Sequence, residues 1–187
     1  MIIEGLCTTQ NKDGVVNIAP MGPIVNEDLT SFFFRPFQSS TTFQNLKETG
    51  CGVFHVTDDV GLIARAAIGK LESLPELLPA KEIDGHVIAS ACRWYEFQVE
   101  SIDESSQRSE ITTNLQHVGH LRDYWGQNRA RNVILEAAIL CTRLHILDAD
   151  EVSRQFEGFE IIVEKTASPT DAETFQLLKS YVSSYSK

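Results

Sequence analysis

Two stretches of the chain alternate apolar and polar residues with a period of two. From Trp94 onward, Tyr95, Phe97 and Val99 alternate with Glu96, Gln98 and Glu100. After Glu104-Ser105-Ser106-Gln107, residues Ile111, Thr113, Leu115 and His117 alternate with Glu110, Thr112, Asn114 and Gln116. Successive side chains of a strand point to opposite faces, so the spacing predicts a long hairpin with one apolar face. A shorter hairpin opens the chain: Leu6–Gln10 and Val15–Ala19 flank Asn11-Lys12-Asp13-Gly14, whose Asp-Gly pair suits a tight turn. Thr30–Arg35 is aromatic and Thr-rich, and Cys51–Thr57 is a short apolar run that reads as a buried strand. These make six strands, mostly antiparallel and without parallel crossover units, which suits a small closed barrel.

The remaining pattern is helical. Phe43–Glu48 has helical spacing with Gly50 as its stop signal, and Asp58 or Asp59 caps a helix through Ile63, Ala66 and Ala67 to Gly69. Residues 72–91, with Pro75, Pro79 and Ile83-Asp84-Gly85-His86, predict a helical turn followed by a loop. Beyond Gly126 come three helices. Ala130–Leu147 is apolar almost all round and must be buried, against the barrel or between two subunits. Asp148 and Glu151 have capping-box spacing for the next, built on Val152, Phe156, Phe159 and Val163. Ser168 before Pro169 starts the last, with Phe175, Leu178, Val182 and Tyr185 at helical spacing. The expected organisation is a mainly β domain over 1–125 and a helical segment over 126–187 that packs on the barrel, on a partner subunit, or on both.

Composition narrows the function. With 187 residues and 42% hydrophobic content the chain can bury a good core. A formal charge of −10, from 26 acidic against 16 basic residues, argues against nucleic-acid and anionic-membrane partners. The longest apolar stretch, Val133–Leu147, is interrupted by Glu136 and Arg143 and is too short to span a bilayer. Without a basic N-terminal region leading into an apolar run, the chain is expected in the cytoplasm. Cys7, Cys51, Cys92 and Cys141 are widely spaced and read as reduced core residues.

One stretch carries candidate chemistry. In Arg35-Pro36-Phe37-Gln38-Ser39-Ser40-Thr41-Thr42 a strand ends in a cation, and four hydroxyl residues open a helix. Helix N-termini present unpaired N–H groups and partial positive charge, hydroxyls add donors, and a guanidinium can hold two phosphate oxygens. The alternative is that Ser39 or Ser40 merely caps the helix while Arg35 sits in water. A second stretch, Ala19-Pro20-Met21-Gly22-Pro23, cannot lie in the middle of a sheet, so backbone amides beside it are free for a ligand. His117 and His120, with His55, His86 and His145, form no metal-binding pattern, and the His pair is read as structural, on a strand and its following loop. Cys51 and His55 lie about 13 Å apart along one strand, too far for a nucleophile and its base. No residue is required as a catalytic acid, base or nucleophile.

Thr8-Thr9, Asp13-Gly14, Asn17-Ile18-Ala19-Pro20-Met21-Gly22, Arg35-Pro36 and Thr42-Phe43-Gln44-Asn45-Leu46 together resemble the flavin-nucleotide-binding split barrels, the superfamily of flavin reductases and pyridoxamine-phosphate oxidases. With Asn128-Arg129-Ala130 and Glu136–Leu140 the chain more narrowly resembles an uncharacterised, largely archaeal branch known as domain of unknown function 447. The resemblance covers nearly the whole chain. It implies a six-stranded antiparallel split barrel with a helical C-terminal segment, homodimeric, binding flavin mononucleotide (FMN) at the subunit interface. Carried over by position, Arg35 and Ser39, Ser40, Thr41 and Thr42 would hold the phosphate, with Pro36 and Gln38 also part of the cofactor site. The main chain of Asn17, Ile18, Ala19, Pro20 and Met21 would border the isoalloxazine ring. Asn128-Arg129, just before the buried helix, reads as a helix cap with a surface Arg, while the family pattern gives Arg129 a ligand or interface role and places Asn128 with it in the cofactor site. The resemblance implies a cofactor more than a reaction. A reductase or oxidase of a small molecule, a non-catalytic flavin sensor or carrier, and a deazaflavin-using paralogue all remain open.

Overall fold

The computed structural model describes residues 1–185; the last two positions of the expected 126–187 segment lie outside it. Seven strands form one antiparallel sheet. In chain order they are β1 (Gly5–Gln10), β2 (Val16–Met21), β3 (Ile24–Val25), β4 (Ser31–Phe34), β5 (Cys51–Val56), β8 (Arg93–Asp103) and β9 (Glu110–His120), and they lie side by side as β2-β1-β5-β8-β9-β4-β3. Between β5 and β8, two short strands, β6 (Leu77–Pro79) and β7 (His86–Ile88), make a separate two-stranded sheet. The helices are α1 (Thr41–Thr49), α2 (Val60–Ala67), α3 (Arg129–Cys141), α4 (Ala149–Thr166) and α5 (Pro169–Ser184).

The antiparallel barrel architecture is as the pattern predicted, with seven strands in the main sheet rather than six. The extra strand is β3, two residues long, and too short to leave a periodic signal. It nevertheless closes the sheet. Ile2 bridges Ile24, the amide of Val25 donates to the Met1 carbonyl at 2.8 Å, and the Met1 ammonium donates to the Val25 carbonyl at 2.9 Å. The chain end beside β1 is thereby tied to the strand at the opposite edge, satisfying backbone groups that an open edge would expose.

The aromatic runs fill the inside. Cys7, Phe32, Phe34, Phe43, Leu46, Phe54, Tyr95, Phe97 and Ile111 form one buried cluster, with Phe34 and Phe97 ring centroids 4.9 Å apart. Helix α1 contributes Phe43 and Leu46 to it, and β5 gives it room: a Cβ at Gly52 would stand 2.8 Å from the Phe97 ring and 3.2 Å from Leu46. A second compact unit comprises residues 58–72 and the chain from Trp125 onward, while residues 1–57 and 73–124 make the first. Helix α2, which sequence order had grouped with the strands, thus shares the second unit with α3, α4 and α5. Its Val60, Ala64 and Ile68 are buried with Ala130, Ile134, Ala137, Ala138, Phe156, Phe175 and Leu178.

Three expectations need correction. Residues 72–91 are a hairpin rather than a helical turn and loop, because β6 and β7 pair through Leu77–Ile88, Leu78–Val87 and Pro79–His86. The apolar helix from Ala130 ends at Cys141, and residues 142–147 are turns. His120 lies in β9 itself, not in a following loop. Pro20 does lie within a strand, but β2 is the edge strand and pairs with β1 alone, so its missing N–H costs no ladder bond on the outer side.

The long hairpin holds a further departure from simple alternation. Glu96 pairs with His117 but Phe97 with Leu115, so Gln116 is an extra residue in β9. The bulge sends His117 to the face opposite Leu115, although strict alternation places them together. His117 instead faces Trp94, with ring centroids 5.7 Å apart.

Candidate functional site

Helix α1 begins where the sequence places it. Ser40, with φ −77° and ψ 145°, is the N-cap, and its hydroxyl oxygen accepts from the Phe43 amide at 3.2 Å. The C-terminus is closed by Gly50 at φ 72°, whose amide donates to the Leu46 carbonyl. The capping alternative is therefore correct for Ser40. It leaves Ser39 and Thr41 exposed, their hydroxyls and amides unpartnered among the described residues, as is the Thr42 amide.

Asn17 connects the two stretches singled out in the sequence. Its side-chain amide donates to the buried Thr42 hydroxyl at 3.2 Å, holding β2 to the first turn of α1. About one turn further along the helix, Asn45 donates at 3.1 Å to the hydroxyl of Thr9, the residue opposite Asn17, so the helix is pinned to β1 as well. Ile18 is buried, while Asn17, Ala19, Pro20 and Met21 are half-buried on the edge strand.

The segment between β4 and α1 is anchored to the far end of the long hairpin. The Pro36 carbonyl accepts from both the amide and the hydroxyl of Ser109, each at 3.0 Å. The Gln38 side-chain amide donates to the Glu104 and Ser106 carbonyls at 2.9 and 2.8 Å, so its donors serve the fold. Arg35 is exposed and makes no hydrogen bond or ion pair among the described residues.

Arg108 was missed by sequence reading. Phe34 sits opposite Ile111 and Phe37 opposite Arg108, so the ladder continues past the end of β4. Arg35, Phe37, Arg108 and Glu110 therefore leave on the same face, and ladder geometry sets the diagonal Arg35–Arg108 separation at roughly 7–8 Å. The Arg108 guanidinium lies over the Phe37 ring, 4.4 Å from its centroid. No local motif marks Arg108; only strand register reveals it.

Asn128 and Arg129 belong to the second unit. Asn128 is the N-cap of α3: its side-chain oxygen accepts from the Arg131 amide at 3.1 Å and its nitrogen donates to the Thr166 carbonyl at 3.0 Å. Arg129 is exposed at the start of that helix. Its neighbour Arg131 is the engaged cation, 3.3 Å from Asp171 and 3.8 Å from Asp58.

On the outer face of the sheet the groups are buried rather than open. His55 is fully buried; its Nδ1 donates to the Leu6 carbonyl at 3.1 Å while its Nε2 accepts from the Ile88 amide at 3.0 Å, an arrangement only the neutral ring permits. Burial pushes its pKa down to about 4, against a smaller opposite effect of the Leu6 carbonyl. Glu96, which alternation assigned to solvent, is also fully buried. Burial pushes its carboxyl up, but the Lys81 amide, the Trp94 indole, the Glu82 amide and the charge of His117 outweigh it, leaving the pKa below the ordinary value. Among the described residues no group of three or more His, Cys, Asp or Glu side chains is placed to hold a metal ion. Nor is any described helix long and apolar enough to cross a membrane.

A curved antiparallel sheet flanked by helices is the split-barrel fold. The chain is similar to the FMN-bound protein MM1853 from Methanosarcina mazei, with a TM-score of 0.82 at 20% identity over 96% of this chain and 94% of that one. It is also similar to flavoredoxin from Methanosarcina acetivorans, at TM-score 0.55 and 15% identity over 67% and 72% of the two chains. The 2-nitrobenzoate 2-nitroreductase NbaA of Pseudomonas fluorescens matches at TM-score 0.53 and 22% identity over 63% and 64%. At these identities the likeness shows the fold. The family follows from the sequence itself: residues 3–122 match the N-terminal domain of the protein of unknown function DUF447 and residues 128–180 match a second DUF447 domain, and the chain belongs to this family. No curated protein matches the chain significantly.

Proposed function

We propose that this protein binds FMN, with the phosphate held at the N-terminus of α1, and works as a homodimeric flavin-dependent oxidoreductase of the reductase or oxidase type. The observation that carries the reading is the start of α1, whose Thr41 and Thr42 amides are unpaired and which the exposed cation Arg35 precedes in the chain. A phosphate monoester matches this donor set. It offers several acceptor oxygens to hydroxyls and backbone amides and a charge to the guanidinium and the helix dipole. Arg108, on the same face as Arg35, supplies a second cation for the dianionic group.

The flavin ring would lie along the free edge of β2, where Asn17–Met21 pair on one side only. Asn17 ties that edge to the start of α1 through Thr42, and the Asn45–Thr9 bond supports the same junction. When bound, FMN supplies the capacity for hydride or electron transfer, and the protein positions the ring and selects what reaches it. The solved DUF447 relative is described as FMN-bound, which supports the cofactor. The homodimer, with the flavin between subunits, rests on the free edges. β2 pairs with one neighbour, and β9 from residue 115 onward pairs only with β8, leaving Val118 47% exposed.

The test is to purify the protein without added cofactor, record the visible spectrum, denature it and weigh the released ligand, while sedimentation gives the assembly state. FMN near one per subunit, on a dimer, is expected. A colourless protein that also fails to take up added FMN would remove the proposed function and leave the barrel.

A further inference from the structure

The β6–β7 hairpin is docked on the sheet by hydrogen bonds to its backbone and by a small apolar cluster around Val87. Its polar partners all sit on one face, because Thr8, Val53, Glu96 and His117 lie opposite one another across β1, β5, β8 and β9. The Thr8 hydroxyl donates to the His86 carbonyl, and the Gln10 side-chain amide and the Cys51 thiol both meet the Asp84 carbonyl, at 3.3 and 3.4 Å. The Glu96 carboxylate accepts from the Lys81 and Glu82 amides, each at 2.8 Å, and His55 Nε2 accepts from the Ile88 amide. Apolar anchoring is a small cluster: Val87 is buried with Val53 and Trp94, Ala80 and Ile83 pack against them, and Ile88 is buried, while Leu78 is 37% exposed. All the buried side-chain polar atoms without a partner among the described residues, Gln10 Oε1, His86 Nδ1 and His117 Nε2, lie in this one layer. A layer of backbone bonds containing orphaned polar atoms has a smaller opening cost than an apolar core.

We propose that His55 is a proton-sensitive latch, and that acidification below neutrality lifts the β6–β7 hairpin from the sheet while the barrel stays folded. The Ile88 bond needs an unprotonated Nε2, and Nδ1 is committed to the Leu6 carbonyl. A proton on Nε2 therefore removes the acceptor and sets two N–H groups face to face. The titratable groups facing this layer are His55, Cys51, Glu96 and His117 from the sheet and Lys81, Glu82, Asp84 and His86 from the hairpin. Glu96 does not share the trigger. Against the push of burial, the Lys81 amide, the Trp94 indole and the Glu82 amide hold its carboxyl below the ordinary value, so it titrates on the acid side of a free carboxylate. The Lys81 ammonium lies 5.8 Å over the Trp94 ring. The direction follows from linkage. With a ring held down to about 4 when docked and at the ordinary value of about 6.5 when released, the contribution of His55 to docking is full above about pH 6.5 and is lost as pH falls toward 4.

The experiment is amide hydrogen exchange on the whole protein at pH 7.5 and 4.5, corrected for intrinsic rates. Opening of the Ile88 amide is expected to rise roughly 70-fold, with the amides of β1, β5 and α3 little changed. His55→Gln, which keeps an acceptor that cannot take a proton, should abolish most of this rise. Glu96→Gln should raise hairpin exchange equally at both pH values and leave the slope. Hairpin protection that changes no more than that of β5, or a pH slope that survives in a folded His55→Gln protein, would overturn the proposal. The wild-type comparison decides the matter even if a variant fails to fold.

Discussion

Replacing Arg35 with alanine tests the phosphate cradle directly. The side chain is exposed and unpartnered, so its loss leaves no buried group unsatisfied, and the fold should be within ~0.5 kcal/mol of wild type. Its effect on ligand affinity should be larger. A hydrogen bond to a charged group contributes about 1.5–3 kcal/mol, and solvent exposure places Arg35 at the low end. An energy of about 1.5 kcal/mol is roughly a twelvefold rise in Kd for FMN. Riboflavin, identical in the ring but lacking phosphate, should bind the variant and wild type alike. Arg108→Ala should act in the same direction by a smaller factor, because its guanidinium is also stacked on Phe37. The assay is titration of the apoprotein by flavin fluorescence at low and high salt. Raising salt should shrink the difference between FMN and riboflavin, since exposed charges are screened. An equal loss for both ligands in Arg35→Ala would mean that Arg35 supports the ring or the fold, and the phosphate assignment would fail.

Other expectations follow from the packing. Ser40→Ala removes the N-cap of α1 and should cost about 1 kcal/mol in urea unfolding while weakening FMN binding through a frayed first turn. No loss of either would show that the helix start is held by Asn17 and Asn45 alone. Gly119→Ala places a Cβ 2.0 Å from the Trp94 ring, which cannot withdraw without breaking its 2.9 Å bond to Glu96. At least ~1–3 kcal/mol of destabilisation is expected, together with a shift in tryptophan emission, and an unchanged midpoint would contradict the tight Trp94 packing. Burial pushes the Cys7 and Cys141 thiols up to about 12 and raises Cys51 as well, so a disulfide reagent at pH 8 should modify the native protein far more slowly than the unfolded chain. Rapid native labelling at Cys7 or Cys141 would contradict their burial.

What the sequence determined by itself is what local physics encodes. Alternation marked β8 and β9, Asp13-Gly14 marked the first hairpin, and hydroxyl or acidic caps marked the starts of α1, α2, α4 and α5, because period, turn conformation and capping depend on neighbours a few residues apart. The same locality made Arg35 to Thr42 legible as a cation leading into a helix start. Where groups meet across the chain, only tertiary structure decided. Strand register put Arg108 on the face of Arg35, and one bulge residue, Gln116, turned His117 toward Trp94 and Glu96. Glu96 reads as a solvent residue in its strand, yet it is buried because a hairpin too short and proline-broken to announce itself folds over it. Helix α2 likewise has an unmistakable cap and stripe, but nothing within it says that its apolar face meets α3 and α5, more than sixty residues further along, rather than the strands beside it in sequence. Periodicity fixes which face of an element is apolar; the partner for that face is chosen by the packing of the whole chain.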